Sequence, residues 1–398
     1  MASMEFQVPS APKRCRLDLG LAAAATSMTT PTAGGDDNVS LLEDVIFEIL
    51  SWLPAKSLCR YRCVSKNWRA LICNPGFVTV HRFRAEPLLV AMSCSGDGPS
   101  FLQMMDVQGN VVKVVKYPGC VQSFCLSIGR LLDPNFGHKF SNIRVIHLDT
   151  GKKFRTCQKP AKKERDVDAS RSTRIERCFG FGSTAKSGVR KIFGVVLQLV
   201  ITGIYQCEVL SLGKGAKWRP TRPPPYSISA VYDDYSEGVT LNGYVYFLSL
   251  DEESVLLISF DLESEEWKVI QGPSGVLSHA AMEKISIAEL NGSVCLVQNM
   301  GFMICLWLLT DPSKQTWIKI YSIRMGYKPI HLLTPLRMIH PSGKLLFCYF
   351  YNKTSGPELQ IYDPRSGGCT DVKNAPTNLV GNIRLCSTNV DPRFSVEL

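Results

Sequence analysis

The chain has 398 residues, 45% hydrophobic and 20% charged, with a formal net charge of +10. That is enough for two or three units and a sizeable core, and the composition is that of an ordinary globular protein rather than a disordered or fibrous one. No apolar run reaches the ~18 residues of a membrane-spanning helix, and the fifteen cysteines include no Cys-x-x-Cys pair, so they read as reduced thiols of the cytoplasm or nucleus.

Residues 1–38 are rich in Ala, Ser, Thr, Pro and Gly without periodicity and read as a disordered tail. Lys13 to Arg16 followed by Leu17 to Ala25 only faintly resembles a signal peptide, because Asp18 interrupts a short apolar run. The Ala/Ser/Thr bias would also suit a transit peptide, against which Glu5 and Asp18 count. From Leu41 the pattern turns helical. On a wheel of about 100° per residue, Leu41, Leu42, Val45, Ile46, Ile49, Leu50, Trp52 and Leu53 fill an arc of about 180°. Glu43, Asp44, Glu48 and Ser51 hold the other side, with Phe47 alone among them. A surface helix needs a stripe of only about 100°, so this one is expected to pack against two things.

Pro54 suits a helix start, since its missing donor is one that a first turn leaves unpaired. A short helix is expected over 55–63. Ser65 is a candidate N-cap for a third, Lys66–Cys73, which Asn74-Pro75-Gly76 stops. Three short helices in about 45 residues bury little surface on their own. The apolar residues are therefore either all core of a small helical domain or partly a docking face.

The order Leu41-Leu42-Glu43-Asp44-Val45-Ile46, Glu48-Ile49-Leu50, Leu53-Pro54, Ser57-Leu58, Arg62-Cys63-Val64-Ser65-Lys66, Trp68-Arg69 and Asn74-Pro75-Gly76-Phe77 resembles an F-box, above all that of plant F-box proteins. The resemblance implies a three-helix module over 39–84 that docks on a Skp-family linker and, through it, on the cullin and RING subunits of a ubiquitin ligase. The residues it places at or behind that contact are Leu41, Leu42, Ile46, Ile49, Leu50, Leu53, Pro54, Leu58, Val64 and Trp68. Leu42 stands where the family usually has proline, which removes one helix-start signal.

From Pro87 the texture changes to short β-branched and aromatic runs between turn residues, and the chain repeats itself. Leu241-Asn242-Gly243-Tyr244-Val245-Tyr246 is echoed by Leu290-Asn291-Gly292-Ser293-Val294-Cys295 and by Pro341-Ser342-Gly343-Lys344-Leu345-Leu346, with glycines 49 and 51 residues apart. Each pair is expected to supply the positive φ of a tight hairpin turn. Trp218, Trp267 and Trp317 recur 49 and 50 residues apart, each after an apolar run, and at one fixed place per repeat they are expected to pack between neighbouring sheets. Leu359 to Pro364 and Val145 to Asp149 look like further copies without the tryptophan. A period of about 50 residues is that of kelch-like propeller blades. It predicts about six blades over 87–398, the first two degenerate. Cys207 to Gly213, Gly238 to Gly243, Phe260 to Glu266, Glu289 to Ser293 and Tyr362 to Arg365 resemble the F-box-associated domain of plant F-box proteins. The fold class expected is thus α+β in two units, a helical F-box followed by an all-β propeller-like domain.

Chemistry is sparse. Gly180-x-Gly182-x-x-Ala185 fits a loose dinucleotide pattern, but a strand rather than a helix follows, so a glycine-rich blade turn is the better reading. The six histidines have no close metal spacing, and no catalytic residue, metal or cofactor is assigned. Lys152 to Arg177 carries ten Lys or Arg against four Asp or Glu and reads as a long inserted loop. Lys159, Lys162, Lys163 and Arg165 are either solvated or the contact for an acidic target. Without interleaved aromatics the loop does not meet the pattern of nucleic-acid binding. The proline-rich Arg219 to Tyr226 reads as a stiff, exposed polyproline-type segment. The expected function is that of a non-enzymatic receptor recruiting an unidentified target protein to an SCF-type ligase, with no membrane partner. The rivals are a propeller enzyme or lectin with an incidental helical prefix, and a basic nucleic-acid-binding protein.

Overall fold

The computed structural model describes residues 43–53, 55–74, 76–77, 80–81, 87–93, 100–117, 125–127, 130–134, 143–147, 153–155, 175–198, 205–213, 217–229, 238–250, 254–276, 284–326, 330–352 and 355–386. The expected tail over 1–38, together with Leu41, Leu42 and Pro54, lies outside them.

Helices α1 (Glu43–Ser51), α2 (Ala55–Tyr61) and α3 (Lys66–Cys73) come first. The second helix stops two residues short of the expected end. The third has the expected bounds, and the Trp68 backbone N–H donates to Ser65 Oγ at 3.1 Å, which satisfies one of the donors a first turn leaves open. Leu50, Leu58, Ile72 and Phe77 form the core of this unit, with Ile46, Phe47, Leu53, Trp68 and Leu71 packed against it. Phe47, placed on the polar side of α1 by the helical wheel, turns inward and meets Phe77 edge to face at 5.2 Å. The buried face of α1 is therefore rotated away from the arc the sequence suggests.

Every regular element described from Leu88 onward is a β-strand. The first sheet holds β1 (Leu88–Ser93), β2 (Ser100–Met105) and β3 (Val111–Tyr117). The second holds β4 (Cys125–Ser127), β5 (Arg130–Pro134), β6 (Ile143–His147) and β7 (Lys153–Arg155). The third holds β8 (Ile175–Ser183), β9 (Arg190–Gln198), β10 (Tyr205–Ser211) and β11 (Trp218–Thr221). The fourth holds β12 (Val239–Leu241), β13 (Tyr244–Leu250), β14 (Val255–Asp261) and β15 (Trp267–Gln271). The fifth holds β16 (Lys284–Leu290), β17 (Ser293–Asn299), β18 (Met303–Asp311) and β19 (Thr316–Arg324). The sixth holds β20 (Leu332–Ile339), β21 (Lys344–Phe350), β22 (Glu358–Asp363) and β23 (Gly368–Asp371). The last strand, β24 (Leu379–Cys386), returns to the first sheet and pairs antiparallel with β1, with Leu88 opposite Cys386 and Ser93 opposite Leu379. Each of the six sheets is thus four-stranded. The leading strands β24, β4, β8, β12, β16 and β20 neighbour one another in ring order. This is a β-propeller whose final strand completes its first sheet.

The cores lie between sheets. Phe193 and Val209 of the third sheet pack with Val245, Phe247 and Phe260 of the fourth. Leu290 and Leu306 of the fifth pack with Leu345 and Phe347 of the sixth. Leu346 of the sixth packs with Leu89 and Ile383 of the first. Trp267 and Trp317 do pack between sheets, Trp267 against Phe193, Phe247 and Phe260 and Trp317 against the clusters shared by the fourth and fifth.

Two of the three expected hairpins have two-residue loops, with φ of 50° and 85° at Asn242 and Gly243 and of 50° and 80° at Asn291 and Gly292, the left-handed pair that such a turn requires. The third differs. Ile339 pairs with Lys344, four residues intervene, and only Gly343 there has positive φ, at 69°. Gly180 and Gly182 form neither a turn nor a phosphate cradle. They lie within β8, where a Cβ on Gly180 would overlap Val245 and one on Gly182 would overlap Thr240 of the next sheet. Their smallness sets the approach of two sheets. The basic stretch is shorter as a loop than expected, because Lys153–Arg155 and Ile175–Arg177 are strand.

Gly180→Ala is expected to cost about 1–3 kcal/mol through overpacking. In Gly180→Ala/Val245→Ala the overlap is relieved, so urea unfolding should give a double-mutant loss smaller than the sum of the singles. An additive sum would assign the glycine some other role.

Candidate docking surface and inter-sheet contacts

Among the described residues of the apolar arc of α1, half are spent on the helical core and half are not. Leu50 is 2% exposed and Leu58 5%, so both stand behind the surface and support it rather than form it. Ile46, Leu53 and Trp68 are half-buried against the same core. By contrast Val45 is 42%, Ile49 52% and Trp52 65% exposed. These three fall at i, i+4 and i+7, one stripe along one face of the helix. Tyr61 and Val64, at the end of α2 and in the turn before α3, are exposed as well, and Tyr61 meets Trp68 edge to face at 5.7 Å. His81 ties the chain after α3 back to the residues just past α1. Its Nε2 lies 2.8 Å from the Leu53 carbonyl oxygen, and its ring stacks on Phe77. Of the expected docking residues, Ile49 and Val64 are thus on the surface. Val45 and Trp52 belong there too; the arc contained them, but only the core could show which half of the arc stays outside.

In the propeller, one turn recurs and reaches across sheets. Asp261, Asp311 and Asp363 each accept, through Oδ1, the backbone N–H two residues on, at 2.7, 2.9 and 2.9 Å. Four residues after each Asp the chain takes positive φ, at Glu265 (61°), Gln315 (55°) and Gly367 (69°). A non-glycine residue pays about 1 kcal/mol for that conformation, and at two of the positions the side chain bridges to the preceding sheet. Glu265 bonds both Lys191 Nζ, at 2.8 Å, and the Arg219 guanidinium. Gln315 Oε1 accepts the Gln271 N–H at 2.9 Å. Two residues further on, Trp267 Nε1 donates to the Arg222 carbonyl at 2.9 Å and Trp317 Nε1 to the Gln271 carbonyl at 2.8 Å.

Burial pushes the Glu265 carboxyl up, but the hydrogen bonds from Arg219 and Lys191 outweigh it and leave the group below its ordinary 4.5. The thiols of Cys295 and Cys348 are pushed up by burial to about 12 and about 11, which keeps them protonated and inert near neutrality. Among the described residues no group of three or more His, Cys, Asp or Glu is placed to hold a metal ion. Lys159, Lys162, Lys163 and Arg165 lie outside the described residues. The proline-rich candidate is less loop-like than its sequence suggests: Arg219 to Thr221 belong to β11, and Pro224 is buried.

With this geometry in view, comparison with known proteins identifies the class. The profile of the F-box domain matches residues 40–79, and that of the F-box associated beta propeller domain matches residues 169–374, more than half of the chain. The chain belongs to the F-box proteins that carry an F-box-associated β-propeller. Its relatives in Arabidopsis thaliana include the putative F-box protein At5g42430, 26% identical over 315 residues, or 73% of this chain and 74% of that one. F-box protein At5g18160 is 23% identical over 376 residues, 89% and 88% of the two chains. The putative F-box protein At3g52320 is 28% identical over 295 residues, 69% and 70%.

Two measurements check these assignments. Leu50→Ala is expected to cost the helical unit about 2–5 kcal/mol, and Ile49→Ala no more than about 0.5 kcal/mol, read as thermal shifts of the full chain. Glu265→Gln is expected to destabilise by roughly 1.5–3 kcal/mol at pH 7 through loss of its charged hydrogen bonds. Because the folded carboxyl titrates below 4.5, its contribution is complete above that value and is lost as pH falls through the depressed one. Urea midpoints of wild type and variant should therefore converge in acid.

Proposed function

We propose that this chain is the substrate-recognition subunit of an SCF-type E3 ubiquitin ligase. The observation that carries the reading is the stripe Val45, Ile49 and Trp52, more than two-fifths exposed on a unit too small to waste apolar surface. In this reading residues 39–84 form a three-helix F-box whose stripe, with Val64, seats on a Skp-family linker that brings the cullin and RING subunits. Leu41, Leu42 and Pro54 extend the contact, and Ile46, Leu50, Leu53, Leu58 and Trp68 hold its shape from behind. Residues 87–398 form a propeller whose six sheets close as six blades around an axis, and its loops hold a target protein. The basic stretch with Lys159, Lys162, Lys163 and Arg165 is one candidate contact for an acidic target. The chain contributes proximity and orientation, and its partners supply the chemistry of ubiquitin transfer. Cys63, Cys295 and Cys348, which form no disulfide, support a reducing compartment, cytoplasm or nucleus.

The test uses the full chain with Ile49→Asp and, separately, Trp52→Asp. Both positions are exposed, so circular dichroism should stay that of the wild type. Linker co-purification should fall at least about 30-fold, the size of a central interface residue. Undiminished capture by the folded variants would remove the docking reading.

A further inference from the structure

The segment Arg219-Pro220-Thr221-Arg222-Pro223-Pro224-Pro225-Tyr226 connects the outermost strand of the third sheet to the first strand of the fourth. Four prolines fix φ near −65°, and each residue before a proline is pushed toward extended conformations. The shape this favours is the polyproline helix, with about 3 residues per turn. Burial along the chain shows that period. Trp218 and Thr221 are half-buried and Pro224 is buried, while the two residues between each are exposed. A strand packed on one side would alternate every second residue. Two ridges of the segment thus face outward, one formed by Pro220, Pro223 and Tyr226 and the other by Arg219, Arg222 and Pro225.

Both ends are clamped. β11 pairs with β10 from Trp218 to Thr221, and Ile228 is buried in the core shared by the third and fourth sheets. Between them Trp267 donates its indole N–H to the Arg222 carbonyl, and Glu265 holds Arg219. Pro223, Pro224 and Pro225 offer carbonyl acceptors and no N–H. The groups that read such a run are ring faces that stack on prolines and side-chain donors that reach its carbonyls. Trp267 already does the second from within the chain, on the inward side. The ordering cost that a free peptide meets on binding is already met here by the fold.

We propose that Arg222–Tyr226 is a preorganised polyproline epitope, read by a partner domain with an aromatic-lined groove of the WW type. Pro223 fills the slot between aromatic rings. Tyr226, 45% exposed and one turn along the same ridge, enters the adjoining pocket, and the exposed Arg222 guanidinium faces an acidic residue at the groove's rim. This inference rests on the reading of the propeller as a partner-binding unit and not on F-box docking.

The test titrates the full chain into an isotope-labelled, isolated WW domain that accepts Pro-Pro-x-Tyr peptides and follows the resonances of its groove tryptophan and acidic rim. Saturable shifts confined to the groove are expected. Pro223→Ala and Tyr226→Ala, both at exposed positions, should each weaken binding about tenfold or more. Linker capture by the same variants should be unchanged, so loss of this contact is separable from failure of the F-box reading. Unmoved groove resonances with the wild-type chain, including the case in which a free 217–228 peptide binds and the chain does not, would overturn the proposal. Equal binding by wild type and Tyr226→Ala would also overturn it.

Discussion

The pairing of β24 with β1 is the constraint on which the propeller depends. Leu379–Cys386 arrives from the far end of the chain to lie against Leu88–Ser93, and until it does the first sheet lacks the strand that neighbours both β20 and β4. Each inter-sheet core needs two faces, and a row of sheets left open would expose one such face at either end. Joining the last strand to the first sheet covers both. It also makes local stability hostage to a contact of very high sequence separation, whose loop-closure entropy must be met before the burial of Leu89, Leu346 and Ile383 is gained.

Between closure and the individual strand stands a second level of organisation, the side chains that each repeat sends back to the sheet before it. Glu265 and Gln315 occupy left-handed backbone positions that glycine would fill without strain, as Gly367 does. That conformation aims a long polar side chain at Lys191 and Arg219 in one case and at the Gln271 backbone in the other. Trp267 and Trp317 add an apolar body between the sheets and one hydrogen bond each to the preceding sheet's outer segment. Where the preceding segment is proline-rich, the same device holds an extended run in place and leaves two of its ridges outward.

The helical unit follows the opposite logic. With nine, seven and eight residues in its helices, it closes around four fully buried side chains and cannot enclose everything apolar that it carries. Much of its surplus runs in one stripe, Val45, Ile49 and Trp52, with Tyr61 and Val64 exposed beyond it. In the proposed reading the two units divide the labour of a receptor, with a compact helical adaptor and a β frame that positions its connecting loops.

Local periodicity was enough to read much of this from the residues. The bounds of α3 followed from Ser65 and Asn74-Pro75-Gly76. The Asn-Gly hairpins and the blade-like period of about 50 residues followed from turn chemistry and repetition, because these depend on residues close in sequence. The recurring Asp-x-x-x-[Glu/Gln]-x-Trp spacing was legible too and would have pointed to the inter-sheet hooks. What tertiary structure alone decided is what each face meets. Phe47 sits on the polar side of its own helix by angle, and only Phe77 arriving from beyond α3 draws it inward and leaves Ile49 and Trp52 outside. Gly180 and Gly182 look like a loop motif until Val245 and Thr240 of the next sheet come close enough to forbid a side chain. The Arg222 carbonyl is held by Trp267, which lies 45 residues downstream in sequence yet beside the segment in space. Such facts have no local signal, since the atoms that cause them are brought together only when the sheets pack.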